Sequence, residues 1–380
     1  MSQSDRAQDA PLPRRDLILL PLISIATILL LLVVAEISSR VFFPEQPIDE
    51  CMATDARLGV VYRPNCHSRV KTFESEWISS SYNDCGYRGS ASCAAPPKGT
   101  VRIVIMGASV ALGFLVRQDQ EFGEVAAHEL TQKCGQHVEI QNLGGYEIFW
   151  GRVLARIPNA LRLHPDAVVL QTAPYDLERE GTLERTTESE EPAGNWLVQL
   201  KTSVASSRAL MVFQHYLMRN DSLYEPLYLR TGDKADYMRA PLTPYWRNQM
   251  SQYDRLLRQL SGAFQGGHVP MTLIFVPHRA QAFIAGMTVP PPGIEPRLVQ
   301  KILNDDARRD GIDFVDTTKA FARAGDTSNL FYPVDGHLTA TGHAIVGHAL
   351  AAELLAKLPA LEQCRRQTAR PSAPMSAVVG

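Results

Sequence analysis

Hydrophobic positions first mass near the N-terminus. Residues 17–35 (LILLPLISIATILLLLVVA) carry no charged side chain. At about 1.5 Å of rise per residue, a helix of this run nearly spans a hydrocarbon core of about 30 Å. Pro21 falls in the first turn, where a helix tolerates proline. The pattern predicts one transmembrane helix over 17–36, after a short disordered tail over 1–16. Arg6, Arg14 and Arg15 precede the helix, so the positive-inside rule puts the tail in the cytoplasm and everything after about Arg40 outside. A cleaved signal peptide is the competing reading. The run exceeds the usual apolar region of about 7–15 residues, and no clear A-x-A site follows it, which favours an uncleaved anchor.

Residues 37–99 are rich in Pro, Ser, Cys and Asn and show little periodicity, so they read as a loop-rich, disulfide-stapled segment. From Val101 the pattern changes. Val101–Met106 reads as a buried strand, Glu121–Lys133 as a helix, and Val138–Leu143 as a second strand. Trp150, Val153, Leu154, Ile157 and Leu161 form a helical stripe. Strands follow within His164–Thr172, Met271–Val276 and Ile312–Val315, and a last helix over Thr341–Leu358. Alternation of this kind implies α/β architecture: a three-layer, flavodoxin-like domain over 100–360, with a five-stranded parallel sheet in the order 2-1-3-4-5. In such a sheet the site lies where strands one and three end. An insertion over 177–267 opens with an acidic stretch, Glu178–Glu191, and ends in an amphipathic helix near Trp246–Phe264. It is either a lid or substrate surface, or a loop decorating the rim. Residues 361–380 read as a disordered tail.

Composition narrows the picture. The 380 residues carry a net charge of −2, which gives no footprint for nucleic acid. All six cysteines lie beyond the apolar run, and an even number in an exported domain suggests disulfides. Proximity favours Cys51–Cys66 and Cys85–Cys93. No C-x-x-C and no His/Cys cluster of zinc spacing occurs, so no metal and no cofactor is expected.

The chemistry centres on "RIVIMGASVALG", residues 102–113. A P-loop needs G-x-x-x-x-G-K-[ST] and a dinucleotide fingerprint needs G-x-G-x-x-G; neither is present. Ser109 is therefore a nucleophile or a helix cap. A nucleophilic serine needs a base, and the base an orienting carboxylate. "FYPVDGHLTATGHAIVGHAL" places Asp335 and His337 two residues apart, just before the last helix, where their loop can reach strand one. His343 and His348 lie within that helix and read as structural. His278 and Asp176 are candidates to line the pocket.

These motifs, in this order, resemble the SGNH (GDSL-like) hydrolase superfamily. Gly107-Ala108-Ser109 resembles its Gly-Asp-Ser block, and Gln141–Tyr146 (QNLGGY) its oxyanion-glycine block, with Gly144 or Gly145, preferably Gly145, as that glycine. Ala173-Pro174-Tyr175-Asp176 aligns with its Gly-x-Asn-Asp block, and Asp335 and His337 with its last. The resemblance spans about Val101–Leu358 outside the insertion. It implies Ser109 as nucleophile, His337 as base, Asp335 as its orienter, and an oxyanion hole of the Ser109 and Gly145 amides with Tyr175. Tyr175 stands where the family has asparagine, and Asp335 and His337 are one residue closer than the usual Asp-x-x-His.

The resemblance implies ester chemistry. The expected function is a serine esterase in the bacterial inner membrane, facing the periplasm and acting on O-acyl groups of envelope or exported glycans. An O-acyltransferase of a polysaccharide assembly system shares the acyl-enzyme; with one anchor it needs a membrane partner to supply acyl donor. A non-catalytic glycan-binding protein on a degenerate scaffold is the reading from a different class.

Overall fold

The computed structural model describes residues 15–146, 148, 150–177, 206–231 and 233–368. The expected cytoplasmic tail lies almost wholly outside them, as does the acidic stretch of the insertion. Helix α1 (Asp16–Phe42) outruns the expected 17–36, because nothing in its last turns, Ile37 to Phe42, breaks a helix. It has no buried residue. It is long and apolar enough to cross a membrane.

The next segment differs from the loop-rich reading. It folds into two antiparallel pairs, β1 (Met52–Asp55) with β2 (Gly59–Tyr62) and β3 (His67–Val70) with β4 (Ile78–Ser81). Four-residue strands such as His67–Val70 and Ile78–Ser81 are too short for a period of two to stand out in sequence. Cys51–Cys66 and Cys85–Cys93 are bridged here, and Tyr62 stacks on Tyr82 with ring centroids 4.3 Å apart.

The main sheet follows. Strand β5 (Val101–Met106) leads into the short helix α2 (Ser109–Leu112), then α3 (Phe122–Cys134) and β6 (Val138–Asn142). The Trp150 stripe forms two helices rather than one, α4 (Trp150–Ala155) and α5 (Ile157–Arg162). Pro158 has no N–H to continue the ladder, so the helix restarts there. Strand β7 (Ala167–Thr172) precedes the insertion, whose described part forms α6 (Arg208–Met218), α7 (Asp221–Arg230) and α8 (Pro244–Gly266). Strand β8 (Met271–Phe275), α9 (Arg279–Ala285), α10 (Leu298–Arg309), β9 (Asp313–Asp316), α11 (Thr318–Ala324) and α12 (Ala340–Lys357) complete the domain.

The five strands run parallel in the order β6-β5-β7-β8-β9, which is the expected 2-1-3-4-5. All six residues of β5 are buried. Val104 and Met106 share one apolar layer with Trp246, Leu257 and Phe264 of α8. Ile103 and Ile105 share the other with Phe122 and Leu130 of α3 and Val346 and Leu350 of α12. Each fully buried aliphatic of this kind stabilises by roughly 1.5–3 kcal/mol. Both faces are thus sealed, and only the strand ends remain open to build a site.

The C-terminus also differs from expectation. Residues 362–368 are helical, α13 (Glu362–Thr368), and not disordered. Leu361 is fully buried, and Cys364 is bridged to Cys134 of α3, which pins the segment to the domain. Residues 369–380 of the expected tail lie outside the described ones.

Candidate active site

The turn after β5 explains its glycine first. Gly107 has φ +147, and a Cβ there would meet the Ala111 Cβ at 2.8 Å and the Gln171 carbonyl oxygen at 3.0 Å. Only glycine lets β5 turn so tightly into α2. Ser109 opens α2, where its own N–H has no intrahelical acceptor.

His337 arrives from a closed loop between α11 and α12. The Tyr332 N–H donates to the His337 carbonyl at 2.8 Å, and the Gly336 N–H to the Tyr332 carbonyl at 2.9 Å. Thr339 caps α12 by accepting from the Gly342 N–H at 3.3 Å. Gly336 has φ +84, where a side chain is strained. That conformation explains how the short Asp-x-His spacing works. Asp335 Oδ1 accepts from the His337 backbone N–H at 3.1 Å and lies 2.6 Å from its ring Nδ1. The other ring nitrogen, Nε2, lies 2.7 Å from Ser109 Oγ. Ser109, His337 and Asp335 therefore form one hydrogen-bonded line.

Among the described residues, two other carboxylate–histidine pairs show the same 2.6 Å contact, Glu74 with His215 and Glu129 with His348. Of the three, only His337 has a serine on its second nitrogen. Burial by itself disfavours the charged form of Asp335. The side-chain bond and charge of His337, with its backbone bond, outweigh that and hold the carboxyl below its usual value. An ionised Asp335 fixes the tautomer in which Nε2 faces Ser109 ready to accept a proton.

The oxyanion side is less direct. The Gly144 N–H is held by Asn142 Oδ1 at 2.9 Å, and a Cβ on Gly144 would meet the Leu112 nitrogen at 2.4 Å. Gly144 thus serves close packing. The Gly145 N–H lies beside the nucleophile turn and donates to the Gly107 carbonyl at 3.3 Å, a long bond. Tyr175, on the turn after β7, is 63% exposed. Asp176 shapes that turn: its Oδ2 accepts from the Ala173 N–H at 2.8 Å, and its carbonyl from the Trp150 indole at 2.6 Å.

Two of the other histidines, His278 and His343, are buried in packing. His278 stacks on Tyr228 at 4.6 Å, and burial pulls its pKa down to about 4. His343 lies against Phe122 and accepts from the Phe122 N–H at 3.2 Å; burial holds it at about 3. His348 forms its ion pair on the surface.

Sequence reasoning missed Glu74. Its side chain has no solvent exposure and lies 2.6 Å from His215 Nδ1 of α6. It accepts from the Asp335 N–H at 2.7 Å and from the Val334 N–H at 3.0 Å. It clamps the loop that carries Asp335 and His337. Phe114 was missed as well; its ring meets the His337 ring edge-on at 5.0 Å and Tyr146 at 5.9 Å. Nothing periodic or motif-like in residues 72–76 (TFESE) marks Glu74 in sequence.

No curated protein matches this chain in sequence. Among solved structures the fold is similar to a lipase/acylhydrolase from Enterococcus faecalis, at 12% identity over 68% of this chain and 97% of that one, TM-score 0.40. It is also similar to an acetyl-xylooligosaccharide esterase from Geobacillus, at 15% identity over 67% and 94%, TM-score 0.39. A psychrotrophic esterase of a Pseudoalteromonas species matches at 11% identity over 67% and 96%, TM-score 0.38. The GDSL-like lipase/acylhydrolase family model matches residues 105–345, more than half of the chain and all of the Ser109–His337 site. The chain therefore belongs to the GDSL-like lipase/acylhydrolase family, whose members act on ester bonds.

Proposed function

We propose that this ester-hydrolysing enzyme is anchored in the bacterial inner membrane by α1, faces the periplasm, and cleaves O-acyl groups from envelope or exported glycans. One observation carries the mechanism: the unbroken line from Asp335 through His337 to Ser109 Oγ, at 2.6 and 2.7 Å. Ser109 Oγ attacks the acyl carbon while His337 Nε2 takes its proton. The tetrahedral oxyanion accepts from the Ser109 and Gly145 amides; the long Gly145–Gly107 bond is the one it displaces. The carbon–oxygen bond to the leaving alcohol breaks, and His337 returns the proton to that oxygen. Water, deprotonated by His337, then releases the carboxylic acid and restores Ser109. The apolar α1 and the three disulfides support the placement outside the cytoplasm.

The test is p-nitrophenol release from p-nitrophenyl acetate by the full chain in lipid nanodiscs, alongside labelling with a fluorophosphonate probe. Ser109→Ala should abolish labelling, and Ser109→Ala and His337→Ala should each lower kcat about 10⁴-fold or more. Equal rates in wild type and Ser109→Ala would reject the serine mechanism. Release that requires an added sugar alcohol, with transfer to it, would move the assignment to acyl transfer.

A further inference from the structure

Phe114 borders two features of interest. One is His337; the other is a cavity of about 180 Å³ that Phe114 helps to line. Its walls come from two parts of the chain. Leu112 and Phe114, just past Ser109, and Tyr146, just past Gly145, form one side. Ile48, Met52 and Val70, from the hairpin segment, form the other. Two of its walls thus follow the proposed oxyanion-hole residues in the chain, and a third, Phe114, touches the His337 ring at 5.0 Å. The family model starts at residue 105, so most of this lining lies outside the region that it describes.

The lining also holds polar side chains; apart from Ser80 and the Arg88 Nε, which has no partner among the described residues, their main polar contacts are made within the protein. Asp49 accepts from the Cys51 N–H at 2.8 Å and from the Tyr82 hydroxyl. Arg88 donates to the carbonyls of Leu112 at 2.8 Å, of Gly113, and of Val116 at 2.6 Å. The Tyr62 hydroxyl accepts from the Tyr146 N–H at 3.3 Å. A sugar placed here would lose water and find few partners, at about 1–3 kcal/mol per stranded group. A hydrocarbon loses nothing by comparison and gains burial. A cavity of about 150 Å³ holds a benzene, so this one has room for about six carbons.

We infer that this cavity is the acyl pocket of the Ser109 site, and that the enzyme's ester carries a hydrocarbon acyl chain of about four to six carbons rather than acetate. The inference rests on the esterase reading and names the acyl half of its substrate; the alcohol half lies outside the cavity.

The test compares p-nitrophenyl esters from acetate to octanoate on the full chain in nanodiscs, where no detergent competes for the cavity. Binding of hexanamide, which resists cleavage, is followed in parallel by ligand-observed NMR with acetamide as reference. The expected kcat/KM for hexanoate exceeds that for acetate by about tenfold or more. Ile48 is 72% exposed at the rim, so Ile48→Trp can enter the cavity without disturbing the sheet. It should lower the hexanoate-to-acetate ratio about tenfold and abolish hexanamide binding. Ester cleavage with a flat chain-length profile and no hexanamide binding would overturn the pocket and leave the esterase standing. A chain-length preference unchanged in Ile48→Trp would overturn it too. Hexanamide bound by wild type but not by Ile48→Trp, with no ester cleaved, would keep the cavity as a hydrocarbon site and reject the esterase reading instead.

Discussion

Two regions meet at Ser109, and they hold it in different ways. On one side stands the parallel sheet, whose β5 end, Gly107 turn and Asp335–His337 loop supply the reacting atoms. On the other stands the hairpin segment before residue 100, which supplies none of them. It supplies Glu74, clamped on the Val334 and Asp335 amides, and Arg88, which gathers three carbonyls of the loop after Ser109. The sheet side, whose Ser109–His337 contact spans 228 residues, lies inside the family match. The hairpin side is built from contacts across 24 to 261 residues and is outside the family match. The difference teaches that the chemistry and the support for the chemistry have separate origins in this chain. Substitutions on the two sides should therefore fail differently.

The largest effect belongs to the sheet side. Asp335→Asn keeps the side chain's shape but offers the His337 ring a neutral amide, so the tautomer facing Ser109 is no longer enforced. Turnover of p-nitrophenyl acetate should fall about 10⁴-fold with the fold intact. A loss under about tenfold would mean that Asp335 does not orient the base.

The hairpin side should give an intermediate effect. Glu74→Gln replaces one carboxylate oxygen by an NH₂ group, which cannot accept from the Val334 or Asp335 amide. The loop should loosen, and a displacement of about 1 Å at a catalytic group costs about 100-fold. We expect kcat to fall about 10- to 100-fold with KM little changed and circular dichroism unaltered, and Glu74→Asp to recover part of the loss. A well-folded Glu74→Gln with wild-type kcat would show the clamp to be dispensable.

This contrast also explains what could be read from the sequence. The strand order, the Ser109 turn and the Asp335–His337 pair were legible, because each is a local pattern: a buried run, a glycine turn, two residues before a helix. Glu74 was not, since its role exists only through amides 260 and 261 residues away. The hairpins escaped because four residues give too little alternation. The helix expected over Trp150–Leu161 was legible as a stripe, but its break at Pro158 shows in the dihedral constraint and not in the stripe. Helix α13 was hidden in a polar tail, where only the Cys134–Cys364 bridge reveals that it docks.

The disulfides should separate stability from activity. Cys134–Cys364 closes a separation of 230 residues in the sheet domain, and Cys51–Cys66 one of 15 in the hairpin segment. In the chain-entropy account the first stabilises by about 5 kcal/mol and the second by about 3. Cys134→Ser with Cys364→Ser should therefore show the larger drop in denaturation midpoint. Cys51→Ser with Cys66→Ser should show the larger drop in activity per folded molecule, severalfold, because it loosens the segment that carries Glu74. The reverse pattern would erase the distinction between the two regions.

The smallest effect on turnover, and the most specific, lies at the seam. Glu121 is fully buried between the two regions: its Oε2 accepts from Asn142 of β6 at 3.0 Å and lies 4.0 Å from Arg88 of the hairpin segment. Burial pushes its pKa up to about 8, against the pull of the Arg88 charge. A carboxyl whose folded pKa is raised favours folding most while both states are protonated. That contribution is full below the ordinary carboxylate value of about 4.3. It is lost progressively as pH rises through the folded value near 8. Glu121→Gln mimics the protonated form and cannot ionise. Its Tm should match that of wild type near pH 4 and exceed it by a growing margin up to about pH 8, then run parallel, while kcat stays within about twofold. Tm curves that run parallel from pH 4 to 9 would show that Glu121 keeps its charge, stabilised by Arg88. The seam would then be an ion pair that joins the two regions rather than a neutral contact between them.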